Sequence, residues 1–209
     1  MGSTQFLVVG GPVLWVLLAV SVAGMAIVMV KIWQFARQRP ETCPDVDVAL
    51  RQWCTGDRGQ ARDALNAEHP VSAVVALSMK ELLKGTDDEM VRQEVDRLAT
   101  IHLNRLRALL PALDGIGTLS PLLGLLGTVL GMIVAFQQME VAGAQVDPST
   151  LSSGIWQALL TTAVGLGIAI PAIAVHNWME RKVERVAMRM NDAVTQVLLE
   201  FGRHRQDGA

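Results

Sequence analysis

Charged side chains are missing from three long stretches of this 209-residue chain. Met1 to Val30, Gly115 to Met139 and Pro148 to Met179 contain no Asp, Glu, Lys or Arg. Each stretch is long enough to cross roughly 30 Å of hydrocarbon, which takes about 20 helical residues. The composition, 51% hydrophobic, is also too apolar for an ordinary soluble domain. The pattern therefore predicts three transmembrane helices.

The sequence also lacks the patterns typical of metal-binding proteins, nucleic-acid-binding proteins and enzymes. The chain has two cysteines, Cys43 and Cys54, without a CxxC pair, and its four histidines lack zinc-ligand spacing with them. We therefore expect two free thiols, no metal site and no cofactor. A net charge of −2 gives no reason to expect a nucleic-acid partner. No phosphate loop, nucleophile elbow or paired-carboxylate pattern occurs, so we do not expect an enzyme.

The first uncharged stretch has two interpretations, a cleaved signal peptide or a retained transmembrane helix. It lacks a basic segment at its start, its apolar run is too long, and no small-residue cleavage site precedes the charges. We therefore expect a retained first transmembrane helix within residues 1–33.

Basic residues predict the orientation. Twelve of the eighteen Lys and Arg residues lie between Lys31 and Arg107, and the other six follow Met179. The positive-inside rule places both regions in the cytoplasm and leaves the N-terminus outside, an arrangement that requires an odd number of membrane crossings. The predicted segments are a first transmembrane helix with a periplasmic N-terminus (1–33), a cytoplasmic helical segment (34–112), a second transmembrane helix (113–138), a periplasmic loop (139–153), a third transmembrane helix (154–178) and a cytoplasmic helical tail (179–209).

The charged regions are predicted to be helical extensions of the membrane helices. Thr86, with Glu89 three residues later, has the pattern of a helix N-cap. From there we expect a nearly continuous helix over Asp87 to Gln137, roughly 75 Å long, with a bend at Pro111. The predicted fold class is an all-α integral membrane protein with three transmembrane helices and long cytoplasmic helical extensions.

Small residues form a stripe on each of the last two transmembrane helices, because their spacing of three and four keeps them on one helix face. The second-helix stripe consists of Gly117, Pro121, Gly124, Thr128, Gly131 and Ala135, with Gly127 completing a GxxxG pair. The third-helix stripe consists of Ala158, Thr162, Gly165, Ala169, Ala172 and His176. Such stripes either pack membrane helices closely or line a narrow lumen that accepts another helix.

The polar members of the stripes favour the lumen, since both helices place a threonine near mid-depth. The alternative is that each threonine bonds the carbonyl of its own preceding turn. No Asp, Glu, Lys or Arg lies centrally in either helix; Asp114 lies at the cytoplasmic mouth and Gln157 in the outer part. If protons cross here, another polypeptide must bring the carboxylate.

Two motifs at these positions resemble the ExbB/TolQ/MotA proton-channel family. Residues 121–132, PLLGLLGTVLGM, are similar to its second-helix signature. Residues 154–172, GIWQALLTTAVGLGIAIPA, followed by His176 and Asn177, are similar to its third-helix signature. Three transmembrane helices match the ExbB/TolQ branch, since MotA-type members have four.

The resemblance implies a homo-oligomeric ring in the bacterial inner membrane, pentameric in the family. The ring surrounds the single transmembrane helices of an ExbD/TolR-like partner, which carry an Asp, and drives a TonB/TolA-like effector. It further implies that Thr128, Thr161 and Thr162 line the proton path, with Gln157 standing where the family commonly has Glu. The remaining stripe positions are implied to serve helix packing or the lumen: Pro121, Gly124, Gly127, Gly131, Ala158, Gly165, Ala169 and Ala172.

Two functions stay open from sequence. The first is a channel-forming stator subunit driven by the proton-motive force; the second is a structural membrane ring that does not conduct, which the missing Glu slightly favours. A neighbouring reading frame that encodes one Asp-containing transmembrane helix would favour the stator. The driven process and the choice between protons and sodium are not determined by the sequence.

Overall fold

A computed structural model describes residues 11–38, 40–142 and 148–207. Within these residues the chain forms seven helices and no strand. The helices are α1 (Gly11–Gln38), α2 (Pro44–Cys54), α3 (Arg58–Asp63), α4 (Pro70–Leu83), α5 (Asp88–Arg107), α6 (Leu110–Ala142) and α7 (Pro148–Asp207). The predicted all-α class is confirmed.

Three helices, α1, α6 and α7, contain segments long and apolar enough to cross a membrane: Gly11–Arg37, Leu110–Glu140 and Ser152–Arg203. These segments expose large apolar side chains, among them Met25, Leu122 and Ile170. Such exposure suits contact with lipid. The three predicted transmembrane helices are confirmed. Where the membrane surfaces cross them stays a prediction, and the predicted loop 139–153 lies partly outside the described residues.

The chain divides into two units. One comprises residues 1–32 and 109–178 and is called the membrane unit; the other comprises residues 33–108 and 179–209 and is called the polar unit. Helices α1 and α7 each contribute to both units.

The core of the polar unit forms around α4, which is apolar on most of its surface. Val71, Val74, Val75 and Met79 of this helix are fully buried. Apolar positions at helical spacing on the neighbouring helices complete the core. They are Val91, Val95 and Leu106 of α5 and Val183, Val186, Met190, Ala193 and Val197 of α7.

The predicted continuous helix over Asp87 to Gln137 is wrong, because α5 ends at Arg107 and α6 begins at Leu110. Leu109 has a positive φ of 68° at the break. A proline lacks the N–H for the bond to the carbonyl four residues earlier, and its ring clashes with that carbonyl. In the structure Pro111 lies in the first turn of α6, where the backbone N–H has no helical partner and its loss costs little.

The predicted N-cap of α5 is also wrong by one residue. Asp87 caps the helix, and its carboxylate accepts a 3.2 Å hydrogen bond from the Glu89 backbone N–H. The Thr86 hydroxyl is instead engaged with Glu81 at 3.3 Å. An ionised carboxylate is favoured at this position because it meets the positive end of the helix dipole.

Candidate functional site

Glycines bring α6 and α7 into backbone contact. A Cβ placed on Gly124 would lie 2.9 Å from the Cα of Thr162, and one on Gly165 would lie 2.5 Å from the Ser120 carbonyl oxygen. At Gly131 the nearest atom would be the Cβ of Ala158, at 3.2 Å. The two predicted stripes therefore face each other within one chain. Small residues drive such association in membranes because close backbones gain dispersion contacts.

Other residues of the two stripes also lie at or near the contact between α6 and α7. Ala169 and Ala172 are buried, and Gly117 lies against Ile173. Pro121 lies inside α6 without breaking it. One residue earlier, the Ser120 hydroxyl donates to the Ile116 carbonyl at 2.6 Å. This bond gives the hydroxyl a partner inside an apolar helix.

Thr161 is the most deeply buried of the predicted path threonines, with 2% of the residue exposed. Its hydroxyl lies 2.7 Å from the Ala158 carbonyl of its own helix and 3.3 Å from the Gly124 carbonyl of α6. A Cβ on Gly127 would lie 2.5 Å from that hydroxyl oxygen. The glycine therefore makes the space in which the hydroxyl reaches across the helix interface.

Thr162 and Thr128 lie close to the same turn of α6 and are both partly exposed. The Thr162 hydroxyl donates to the Gly124 carbonyl at 3.1 Å, and the Thr128 hydroxyl donates to the Leu125 carbonyl at 2.7 Å. Three threonine hydroxyls thus gather around Gly124 and Leu125. Each donates its proton to a backbone carbonyl and keeps oxygen lone pairs that can accept a hydrogen bond from a visiting group.

A polar cavity of about 340 Å³ lies beyond this level, between the later part of α6 and the start of α7. Its lining includes Gln157, together with Gln138 and Ser153, which the sequence reasoning did not single out. Extending the α6 stripe by three residues from Ala135 reaches Gln138, so the same periodicity would have found it. A Cβ on Gly11 of α1 would lie 3.2 Å from the Gln157 amide nitrogen.

Ionisable side chains are few in the described part of the membrane unit: Lys31, Asp114, Glu140 and His176. None lies near the threonine level. Asp114 and His176 are neighbours at the opposite end of the helices from Gln157, with 4.0 Å between Asp114 Oδ1 and His176 Nε2. Among the described residues no group of three His, Cys, Asp or Glu could hold a metal ion.

Comparison with known proteins identifies the family. The sequence profile of the MotA/TolQ/ExbB proton channel family matches residues 66–192. The chain is 24% identical over 179 residues to a putative biopolymer transport protein ExbB homolog of Methanothermobacter thermautotrophicus, covering 84% of this chain and 62% of the relative. It is 32% identical over 174 residues to a putative biopolymer transport protein ExbB-like 1 of Synechocystis, covering 79% and 66%.

A third relative is the Tol-Pal system protein TolQ of Pseudomonas aeruginosa, 35% identical over 109 residues that cover 50% of this chain and 47% of the relative. The chain thus spans between about half and two thirds of the length of these three relatives. Together with the three apolar helices, they support a multi-pass protein of the bacterial inner membrane. The chain belongs to the MotA/TolQ/ExbB proton channel family, in its ExbB/TolQ branch.

Proposed function

We propose that this protein is the channel-forming stator subunit of an inner-membrane motor driven by the proton-motive force. The observation that carries the proposal is the cluster of Thr128, Thr161 and Thr162 hydroxyls around one turn of α6. This cluster lies in a region without ionisable side chains. The lone pairs of these hydroxyls can accept a hydrogen bond from a protonated carboxyl group, and a hydroxyl that turns away from its backbone carbonyl can donate to a carboxylate, but the site supplies no proton carrier of its own.

The proton carrier in this proposal is the transmembrane Asp of an ExbD/TolR-like single-span partner. Burial in a low-dielectric lumen disfavours the charged carboxylate, and hydroxyl groups offset part of that cost. In this proposal the partner is contacted by Thr128 and Thr162, which are partly exposed in the single chain. Thr161 supports them from inside the helix interface.

The assembly in the proposal is a homo-oligomeric ring, a pentamer by resemblance to the family, around the partner helices. Its N-terminus and the 139–153 loop lie in the periplasm and its C-terminus lies in the cytoplasm. A proton that crosses this membrane releases about 2.3 kcal/mol per 100 mV. The ring uses that energy to move a TonB/TolA-like effector.

Gln157 serves as an orienting group in this proposal. A neutral amide cannot carry a proton at physiological pH, but it donates and accepts hydrogen bonds. Its place in the outer polar cavity beside Gln138 and Ser153 suits a hydrated entrance to the threonine level. The proton therefore passes from water to the partner carboxylate without a second titrating side chain at the entrance.

The second candidate, a membrane ring that does not conduct, is favoured by the close packing of the stripes within one chain. Replacing Thr128 and Thr162 with Val separates the two functions, because Val has nearly the shape of Thr and no hydroxyl. Hydrogen bonds to charged groups contribute about 1.5–3 kcal/mol, so we expect roughly a tenfold or greater loss of proton flux.

The measurement is proton influx into proteoliposomes that hold the complex purified through a tag on this chain, with complex yield measured alongside. Thr128→Ser and Thr162→Ser are the matched controls and should retain part of the flux. A stator requires that the Val double variant assembles normally and loses its flux. Normal flux in that variant would remove both threonines from the path, and no flux in the wild-type complex would favour the structural ring.

A further inference from the structure

The cytoplasmic mouth of the membrane unit contains a histidine–aspartate pair that the threonine path does not use. His176 ends the small-residue stripe of α7, and Asp114 lies one turn into α6. Two of the four ionisable side chains in the described part of this unit thus lie 4.0 Å apart. Ionisable side chains within membrane helices are energetically costly, so a neighbouring pair of them is a candidate functional site.

Hydrogen bonding sets the protonation form of the imidazole. Nδ1 of His176 lies 3.2 Å from the carbonyl oxygen of Leu110. A carbonyl only accepts hydrogen bonds, so Nδ1 carries a proton and donates it. The lone pair of Nε2 is then free to bind a second proton, and this nitrogen is the one that faces Asp114 Oδ1.

The two side chains differ in how far the rest of the chain covers them. The side chain of His176 is 18% exposed and that of Asp114 is 59% exposed. The imidazole therefore lies at the edge of the helix interface, while the carboxylate lies mostly outside it. A carboxylate attracts an imidazolium, and Asp114 is predicted to lie at the cytoplasmic mouth, where a proton can leave for water.

Other charged groups occur on α1, α6 and α7. On α6 the facing groups are Asp114 and the Leu110 carbonyl. On α1 the cation of this unit is Lys31, which is 1% exposed. Further along α7 the next charged residue is Glu180, which is engaged in an ion pair with Arg107 at 2.9 Å.

We infer that His176 and Asp114 form the proton-release station at the cytoplasmic mouth, a role that rests on the proposed function. A proton that leaves the partner carboxylate is carried by water in the lumen to the Nε2 lone pair, which gives an imidazolium beside the Asp114 carboxylate. It then passes to cytoplasmic water, which restores the neutral imidazole. Imidazole suits this step because its unprotonated nitrogen can bind a proton and release it again.

The inference predicts a dependence on the pH of the cytoplasmic side. A higher proton concentration on that side opposes release of the proton to water, so flux should fall as the internal pH is lowered. The external pH is lowered in step so that the driving force stays constant. His176→Gln keeps an amide donor for the Leu110 carbonyl but cannot titrate. It should lower the flux and remove its internal pH dependence.

Variants of Asp114 form the second part of the experiment. The side chain is exposed, so substitutions there are compatible with folding. Asp114→Asn should lower the flux several-fold, and Asp114→Glu should restore most of it. His102→Gln, a change of a partly exposed histidine in the polar unit, is the matched control and should leave the profile unchanged. These measurements use the same proteoliposomes of the intact complex.

The possible outcomes distinguish the proton-release station from the stator function on which it rests. A conducting wild-type complex whose flux and pH profile survive both His176→Gln and Asp114→Asn would overturn the release station and leave the stator proposal standing. A wild-type complex that conducts no protons would overturn both. If His176→Gln fails to assemble, the comparison of Asp114→Asn with Asp114→Glu decides the question, and equal flux in those two variants would refute the station.

Discussion

At the scale of single residues, two glycines of α7 that lie two positions apart have different surroundings. A Cβ on Gly165 would lie 2.5 Å from the Ser120 carbonyl oxygen and 3.3 Å from the Cα of Gly124, and neither atom belongs to a side chain that can rotate away. A Cβ on Gly167 would meet no atom within 4 Å. The difference makes the pair a test of how α6 and α7 pack.

Gly165→Ala should therefore destabilise the protein, while Gly167→Ala should be close to neutral. Overpacking of a well-packed interface costs about 1–3 kcal/mol, and the alanine at 165 must separate two backbones to fit. The measurement is the thermal stability of the purified protein in detergent. The fraction of protein that remains monodisperse is recorded at each temperature. Equal stability of the two variants would contradict the packing of Gly165 against Ser120.

Single-residue roles were predictable from sequence only in part. The spacing of Gly124, Gly131 and Gly165 predicted one face on each helix, because helical periodicity fixes which residues share a side. It could not decide between a packing face and a lumen, since both need small residues. Thr161 and Thr162 are adjacent in sequence, yet one is buried and the other partly exposed, and that difference depends on the rotation of α7 against α6.

At the scale of elements, ion pairs and one buried ring attach the segment before and within α2 to the far part of α7. Glu41 accepts hydrogen bonds from Lys182 at 3.1 Å and from Arg185 at 2.7 Å, and Asp47 pairs with Arg189. Further along, Trp53 is buried and its Nε1–H donates to the Val197 carbonyl at 3.2 Å. These contacts give the polar unit long-range links between distant parts of the chain.

Glu41 makes this attachment sensitive to acid. Burial alone would raise the pKa of Glu41, but the hydrogen bonds from Lys182 and Arg185 outweigh it and hold that pKa below the ordinary value of 4.5. A carboxyl group with a lowered folded-state pKa stabilises the fold above its unfolded pKa, and this contribution is lost as the pH falls through the folded pKa. The stabilisation is therefore complete near neutral pH and is lost progressively as the pH falls below about 4.5, through the folded-state pKa.

Glu41→Gln should lower stability near pH 7 and have progressively less effect as the solution is acidified below about pH 4.5. The measurement is thermal unfolding of the two proteins in detergent from pH 7 to 3. Glu68→Gln, a change of an exposed carboxylate, is the control. A destabilisation by Glu41→Gln that is the same at every pH would show that the ion pairs do not contribute.

Element boundaries show where local sequence signals were insufficient. Pro70 begins α4, and proline is favoured in a first helical turn. Pro111 has the same role in α6, but the apolar residues on both sides of it suggested a bend within one helix. The positive φ of Leu109 that permits the break is unfavourable for leucine, so residue type gave no signal for it.

At the scale of the whole molecule, the distribution of basic residues predicts how the chain crosses the membrane. None of the eighteen Lys and Arg residues lies before Lys31 or between Arg107 and Arg181. With three crossings, both basic regions reach the same side, and the positive-inside rule identifies that side as the cytoplasm. The release station at His176 and Asp114 depends on this orientation, because it must face the cytoplasm to discharge protons there.

Cysteine labelling tests the orientation in a background in which Cys43 and Cys54 are replaced by Ser. Ala144→Cys lies in the predicted periplasmic loop, and Arg203→Cys lies in the predicted cytoplasmic tail. A maleimide that cannot cross membranes should label Ala144→Cys in spheroplasts and should label Arg203→Cys only after the membrane is permeabilised. Labelling of both from outside would contradict three crossings, whereas the reversed pattern would preserve three crossings and place His176 and Asp114 on the side where protons enter.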